Sequence, residues 1–402
     1  MAEPLGIERK LRCRLMTVEL LCLALIVMPA MAGAEDRVEK GWPMFRGDAA
    51  CSGVAKDPLP GPLSIRWKFE AGEPFISSAA IVDDTVYVGC DDEHLYAIEL
   101  GTGKVKWKYR AKSFVQSSPA VARDLVLVGD DDGIFHAVDR TTGLGKWTYT
   151  TGAQIISSAN VHGERVLFGS YDGFVYCLDL RNGKLLWRFE TGGPVHGMLG
   201  IIDGLVLAAG CDEFLHVLRI ADGKPERQVS MQSVSGVSAA VAGDEVFIGT
   251  YGNQVRCIDW KKGATKWVFE PEERKFPFLS SAAVTSRAII LGGRDKRLRA
   301  LDRKTGAILW SYIAKGRIDS SPVVVGKRVF VGSSDGNLYG LDLQTGRELE
   351  RFELGAPITA SPAVGGGCLV IGNQDGVLYC FESNETPLSN KMRTDKLSPQ
   401  GR

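Results

Sequence analysis

Ala97-Ile98-Glu99-Leu100-Gly101-Thr102-Gly103-Lys104-Val105-Lys106-Trp107 reads as the end of one strand, a tight turn at Thr102-Gly103 and a second strand closing on tryptophan. The pattern returns from Ala137 to Trp147, with Asp139 and Thr142-Gly143, and from Cys177 to Trp187, with Asp179 and Asn182-Gly183. Trp67, Trp107, Trp147 and Trp187 stand 40 residues apart. A fixed period of that size marks a repeat architecture.

Each repeat has four parts. A segment of small residues opens it, as in Ser77-Ser78-Ala79-Ala80, Ser117-Ser118-Pro119-Ala120 or Ser320-Ser321-Pro322-Val323. An apolar run ending in glycine follows, such as Val86-Tyr87-Val88-Gly89. After an acidic turn comes an alternating run such as Leu95-Tyr96-Ala97-Ile98, and the tryptophan strand is last. Four β-forming runs per period, separated by glycine and Asp-Gly turns, predict a four-stranded antiparallel unit.

Opening segments at 77, 117, 157, 197, 237, 280, 320 and 360 give eight units. The fourth is degenerate, with Arg227 in place of tryptophan and a turn at Cys211-Asp212-Glu213 that reads one residue short. The sixth is preceded by extra residues within Glu272–Phe278, and the seventh ends at Glu350 without tryptophan. The eighth stops after Val377-Leu378-Tyr379-Cys380-Phe381, yet Leu63-Ser64-Ile65-Arg66-Trp67-Lys68-Phe69 has the fourth-strand pattern with no unit before it. The expected fold is therefore all-β: an eight-bladed β-propeller over residues 63–382, its N-terminal strand closing the last blade. Closure removes the exposed edge that an open array would leave.

The flanks read differently. Residues 1–34 carry Arg9, Lys10, Arg12 and Arg14, an apolar run from Leu15 to Met28, and small residues up to Ala34. This is the pattern of a signal peptide cleaved after Ala34, or after Ala32, with an uncleaved membrane anchor as the rival reading; cleavage predicts an exported, periplasmic or envelope-associated protein without a transmembrane span in the mature chain. Residues 35–62 form a leader with Trp42-Pro43-Met44-Phe45-Arg46-Gly47, expected to pack on the body, and a proline-rich linker. Residues 383–402 read as a disordered polar tail. With 48 basic and 48 acidic residues the chain lacks the basic excess that nucleic-acid binding uses, and a monomer is expected. Seven cysteines remain after Ala34, an odd number that argues against a disulfide scaffold. Cys368 and Cys380, symmetric about Gln374, are the one pair placed for a bridge.

The combination of Ala-x-Asp-x-x-Thr-Gly-Lys-x-x-Trp with Ser-Ser-Pro and Val-Gly-Ser-x-Asp-Gly resembles the pyrroloquinoline-quinone (PQQ) repeat family. That family implies two alternatives: quinoprotein dehydrogenases, and non-catalytic envelope propellers similar to the outer-membrane assembly factor BamB. The dehydrogenase branch implies Ca²⁺ held by converging oxygens, an Asp base and two adjacent cysteines over the cofactor. No two cysteines are adjacent in this sequence, and no Cys-x-x-Cys-His haem attachment is present. The expectation is a non-enzymatic scaffold that binds protein partners in the envelope, without PQQ, Ca²⁺ or catalytic residues. A divergent quinoprotein dehydrogenase and a small-ligand-binding propeller are the alternatives.

Trp67, Trp107, Trp147, Trp187, Trp267 and Trp310 are expected to wedge each blade against the next. Asp92, Asp132, Asp172, Asp295, Asp335 and Asp375 share one register and read as turn formers, since Asp bonds its own backbone there. The histidines show no zinc-ligand spacing. The positions before each opening segment (Ile76, Gln116, Ile156, His196, Gly236, Leu279, Asp319 and Thr359) should surround one mouth of the central channel. Gln116, His196 and Asp319 are candidate contact residues there, joined by Arg274, Lys275 and Phe276 of the insertion, whose charge-flanked aromatic suits a protein contact.

Overall fold

The computed structural model describes residues 41–272 and 276–384. The expected signal segment, Arg274, Lys275 and the tail beyond Asn384 lie outside the described residues.

Continuously buried apolar runs in the three inner strands, an alternating outer strand and tight turns fold each repeat into a meander of four antiparallel strands. Blade 1 consists of Ala80–Val82, Thr85–Gly89, His94–Glu99 and Val105–Arg110, from the channel outward. Blades 2 to 7 repeat this plan from Ala120, Asn160, Gly200, Ala240, Ala283 and Val323. Blade 8 takes Ala363–Gly365, Cys368–Gly372 and Val377–Ser383 from one end of the chain and Leu63–Glu70 from the other. The closing strands pair from Leu63↔Ser383 to Glu70↔Val377, with a bulge between Ile65 and Trp67. The last blade thus reaches Ser383, one residue past the expected boundary. Blade 4 keeps the common spacing: Cys211–Glu213 is not short, because Glu213 adopts the left-handed φ of 67° that Gly133 and Gly173 supply elsewhere.

Six tryptophans on the outermost strands meet the neighbouring blade. The Nε1 groups of Trp67, Trp107, Trp147 and Trp187 donate to carbonyls of the next blade's turn, at Leu100, Arg140, Leu180 and Ile220, over 2.8–3.1 Å. Trp267 and Trp310 do the same toward Arg303 and Leu343. Each indole lies flat on the glycine of that turn; a Cβ on Gly223 would come within 2.6 Å of the Trp187 ring. The Thr-Gly of the motif therefore serves both the turn and the landing surface of the preceding blade's tryptophan.

Two blades lack the wedge and fill its place differently. In blade 4, Arg227 lies over Gly263. In blade 7, Glu350 pairs with Arg328 at 2.6 Å and accepts the Leu63 N–H at 2.9 Å. Arg328 also donates to the carbonyls of Leu59 and Gly61, pinning the linker.

The Ser-Ser segments precede the innermost strands and form a second set of joints. The N–H of the second serine donates to the hydroxyl of the equivalent serine one blade on: Ser78 to Ser118, Ser118 to Ser158, Ser238 to Ser281, Ser281 to Ser321, Ser321 to Ser361, and Ser361 back to Ser78. Met198 donates to Ser238 in the same way but carries no hydroxyl to receive Ser158.

The leader packs on the body, as expected, and does so inside the ring. Gly41–Trp42 pairs with the innermost strand of blade 1, and Val54–Ala55 lies parallel to Val323–Val325 of blade 7. Between them, the carbonyls of Pro43, Ala49, Ala50, Ser52 and Gly53 accept the N–H groups of Val121, Ile201, Val241, Val284 and Val324, at 2.7–2.9 Å. The leader fills the channel on the side away from the acidic turns.

The seven cysteines of the described chain are free thiols. The hairpin register pairs Cys368 with Glu382 and Val370 with Cys380, so the two cysteines sit diagonally rather than directly opposite.

Candidate functional site at the channel mouth

The connections from each outermost strand to the next innermost strand lie on the same face as the acidic turns. All eight predicted rim positions are half-buried around the mouth on that face. Against them stand the residues that open the acidic turns.

The Gln116 side-chain amide donates to Asp91 Oδ2 at 3.2 Å. The Tyr171 ring packs on His196 with centroids 4.2 Å apart, and burial holds the His196 imidazole below its ordinary pKa. Arg294 forks onto both oxygens of Asp319 at 2.9 and 3.1 Å, and Arg317 Nε approaches the same carboxylate at 3.2 Å. Gln116, His196 and Asp319 thus share one mouth. The Phe276 ring is 38% exposed on the connecting loop, and its N–H is held by Asn253 Oδ1 at 3.1 Å. Phe278 is core, at 2% exposure.

The turn-opening residues were missed in the sequence. Asp91, Asp131, Tyr171, Cys211, Tyr251 and Arg294 occupy one phase of the repeat. Each precedes the motif aspartate or its equivalent, so a column aligned on the acidic turn would have exposed their variability. Together they make the mouth polar and asymmetric. Blades 2 and 6 are four stations apart in a ring of eight, which sets Asp131 across from Arg294. Burial, then the neighbouring carboxylates Asp91, Asp130 and Asp132, push the Asp131 carboxyl up to about 6. The Asp91 carboxyl is also raised, chiefly by burial, and one oxygen of each has no hydrogen-bond partner. The mouth therefore has an acidic arc, an aromatic wall at Tyr171 and Tyr251, and a guanidinium–carboxylate cluster. Such a surface can orient a charged partner.

The register aspartates serve the turns. Asp172 accepts the Phe174 N–H at 3.1 Å and the Tyr176 hydroxyl at 2.7 Å. Asp335 does the same for Asn337 and Tyr339, and Asp295 receives Arg299. In blades 2 and 8 the acceptor moves two residues earlier, to Asp130 and Asn373. His136 and His216 are clipped to Asp130 and Asp212 at 2.9 and 2.6 Å. Among the described residues, no group of three or more His, Cys, Asp or Glu is placed to hold a metal ion. A Ca²⁺ would call for six to eight converging oxygens, whereas the register aspartates of blades 3 and 7 are engaged in their own turns. No helix among the described residues is long and apolar enough to cross a membrane.

A family model described as outer membrane protein assembly factor BamB matches residues 64–198, 151–233 and 218–395. BamB from Moraxella catarrhalis is 20% identical over 81% of this chain and 99% of its own, with a TM-score of 0.69. The quinohemoprotein alcohol dehydrogenase from Comamonas testosteroni is 14% identical over 86% of this chain and 82% of its own, TM-score 0.73. A europium-containing methanol dehydrogenase is 14% identical over 86% and 99%, TM-score 0.72. These likenesses establish the fold and do not separate the two branches. No curated protein matches the chain.

Proposed function

Because the chain belongs to the family of the outer membrane protein assembly factor BamB, we propose that it is an exported, non-enzymatic propeller that holds protein partners in the cell envelope, working without PQQ or Ca²⁺. The family match along almost the whole ring carries this reading. The composition of the mouth supports it: charged and aromatic groups on an open rim suit a protein contact. The leader occupies the channel from the other side, which leaves this rim uncovered by it. The signal-peptide pattern of residues 1–34 supports export.

A photoreactive amino acid at Gln116 or His196 is expected to give defined protein adducts in envelope fractions, while the same probe at Lys304, on the opposite face, gives none. Equal labelling from both faces, or PQQ uptake with alcohol or sugar oxidation by purified protein supplied with Ca²⁺, would overturn the reading.

A further inference from the structure

We propose that the leader is a strap that replaces the missing serine latch between blades 3 and 4, with Asn160 as its buckle. The ring of serine N–H to hydroxyl bonds is interrupted at one station, where Met198 stands in place of serine. The hydroxyl of Ser157 still reaches the Gly197 carbonyl at 2.9 Å, but the seam has lost the second bond that its neighbours keep. Blade 4 also lacks the outer tryptophan, since Arg227 occupies that place. Blade 4 has therefore lost one repeat-encoded joint on each side: the serine latch toward blade 3 and the tryptophan toward blade 5.

The leader crosses at this station. Asn160 is fully buried at a position held by Ala80, Ala120, Ala240, Ala283 and Ala363 in other blades. Its amide nitrogen donates at 2.8 Å both to the Leu199 carbonyl across the seam and to the Ala49 carbonyl of the leader. Its oxygen accepts the Val161 N–H at 2.8 Å. A buried amide with its polar atoms engaged specifies one arrangement, and leaving its partners unmatched is costly. From Ala49 and Ala50 the leader then takes the N–H groups of Ile201 in blade 4 and Val241 in blade 5. The buried Cys51 thiol rests on the Met198 and Leu199 carbonyls at 4.0 and 3.8 Å. One side chain thus ties blade 3, blade 4 and the strap together where the repeat leaves a gap.

Hydrogen exchange on the full chain tests this. Asn160→Ala installs the residue that other blades already carry, so a folded ring is retained. Exchange at Ile201 and Val241 is expected to speed up about tenfold, as for loss of one buried hydrogen bond, with Ser361 unchanged. Met198→Ser restores a hydroxyl for Ser158 and is expected to reduce the Asn160→Ala effect several-fold in the double variant. Exchange rising equally at every seam, or no coupling between positions 160 and 198, would overturn the proposal. If Asn160→Ala unfolds the chain outright, Cys51→Ala supplies the same readout at Ile201, with unchanged exchange counting against the strap.

Discussion

The tryptophan and the glycine one blade on form a single device, with the indole flat on a backbone that has no Cβ. Replacing Trp187 with Ala removes a nearly buried ring and its bond to Ile220. We expect a loss of about 3–5 kcal/mol in denaturant unfolding. Gly223→Ala attacks the same joint from the other side, through a φ of 70° and a 2.6 Å approach to the ring. It should cost at least about 1–2 kcal/mol, and combining it with Trp187→Ala should be less than additive. Asp131 behaves in the opposite sense. Its folded pKa, pushed up to about 6 from a reference of 3.8, means the folded state binds more protons than the unfolded between those values. Stability contributed by this group is therefore present at low pH and lost as pH rises through that window. Asp131→Asn should raise the melting temperature at pH 7 and flatten its fall between pH 4 and pH 6, read by thermal unfolding across pH. A carboxylate with an unpartnered buried oxygen and a raised pKa fits a contact surface better than a structural role.

Within each blade, the hairpin before the third strand needs one left-handed residue. Gly133, Gly173, Gly336 and Gly376 provide it in some blades, whereas Glu93, Glu213, Asn253 and Lys296 are forced into φ of 65–69° in others. Glu213→Gly should therefore gain roughly 0.5–1 kcal/mol, measured as a shift of the urea midpoint with unchanged slope. The Asp-Gly pattern made these turns legible, because aspartate capping and glycine φ are local properties. The clip from the aspartate to Tyr176, His216 or Arg299 was not, since it spans the turn only after the register is set. The serines likewise read as small residues; their use as acceptors for the preceding blade's N–H depends on a neighbour about 40 residues away.

Across the whole molecule, closure ties the chain ends together, and the leader adds a second tie from blade 1 to blade 7 through the channel. Trp42, at 2% exposure, anchors the first of these contacts. Trp42→Ala should lower stability by about 3–5 kcal/mol, checked by thermal and denaturant unfolding, although the residue lies outside every repeat. The sequence by itself determined the eight blades and the split last blade. Periodicity and turn chemistry are local, and a 40-residue phase counts blades without coordinates. Only the tertiary structure decided that the leader enters the channel and that Asn160 and Arg328 hold it. Those pairings join residues far apart in the chain, where no repeat pattern links them, and they exist because ring closure brings every innermost strand to one axis.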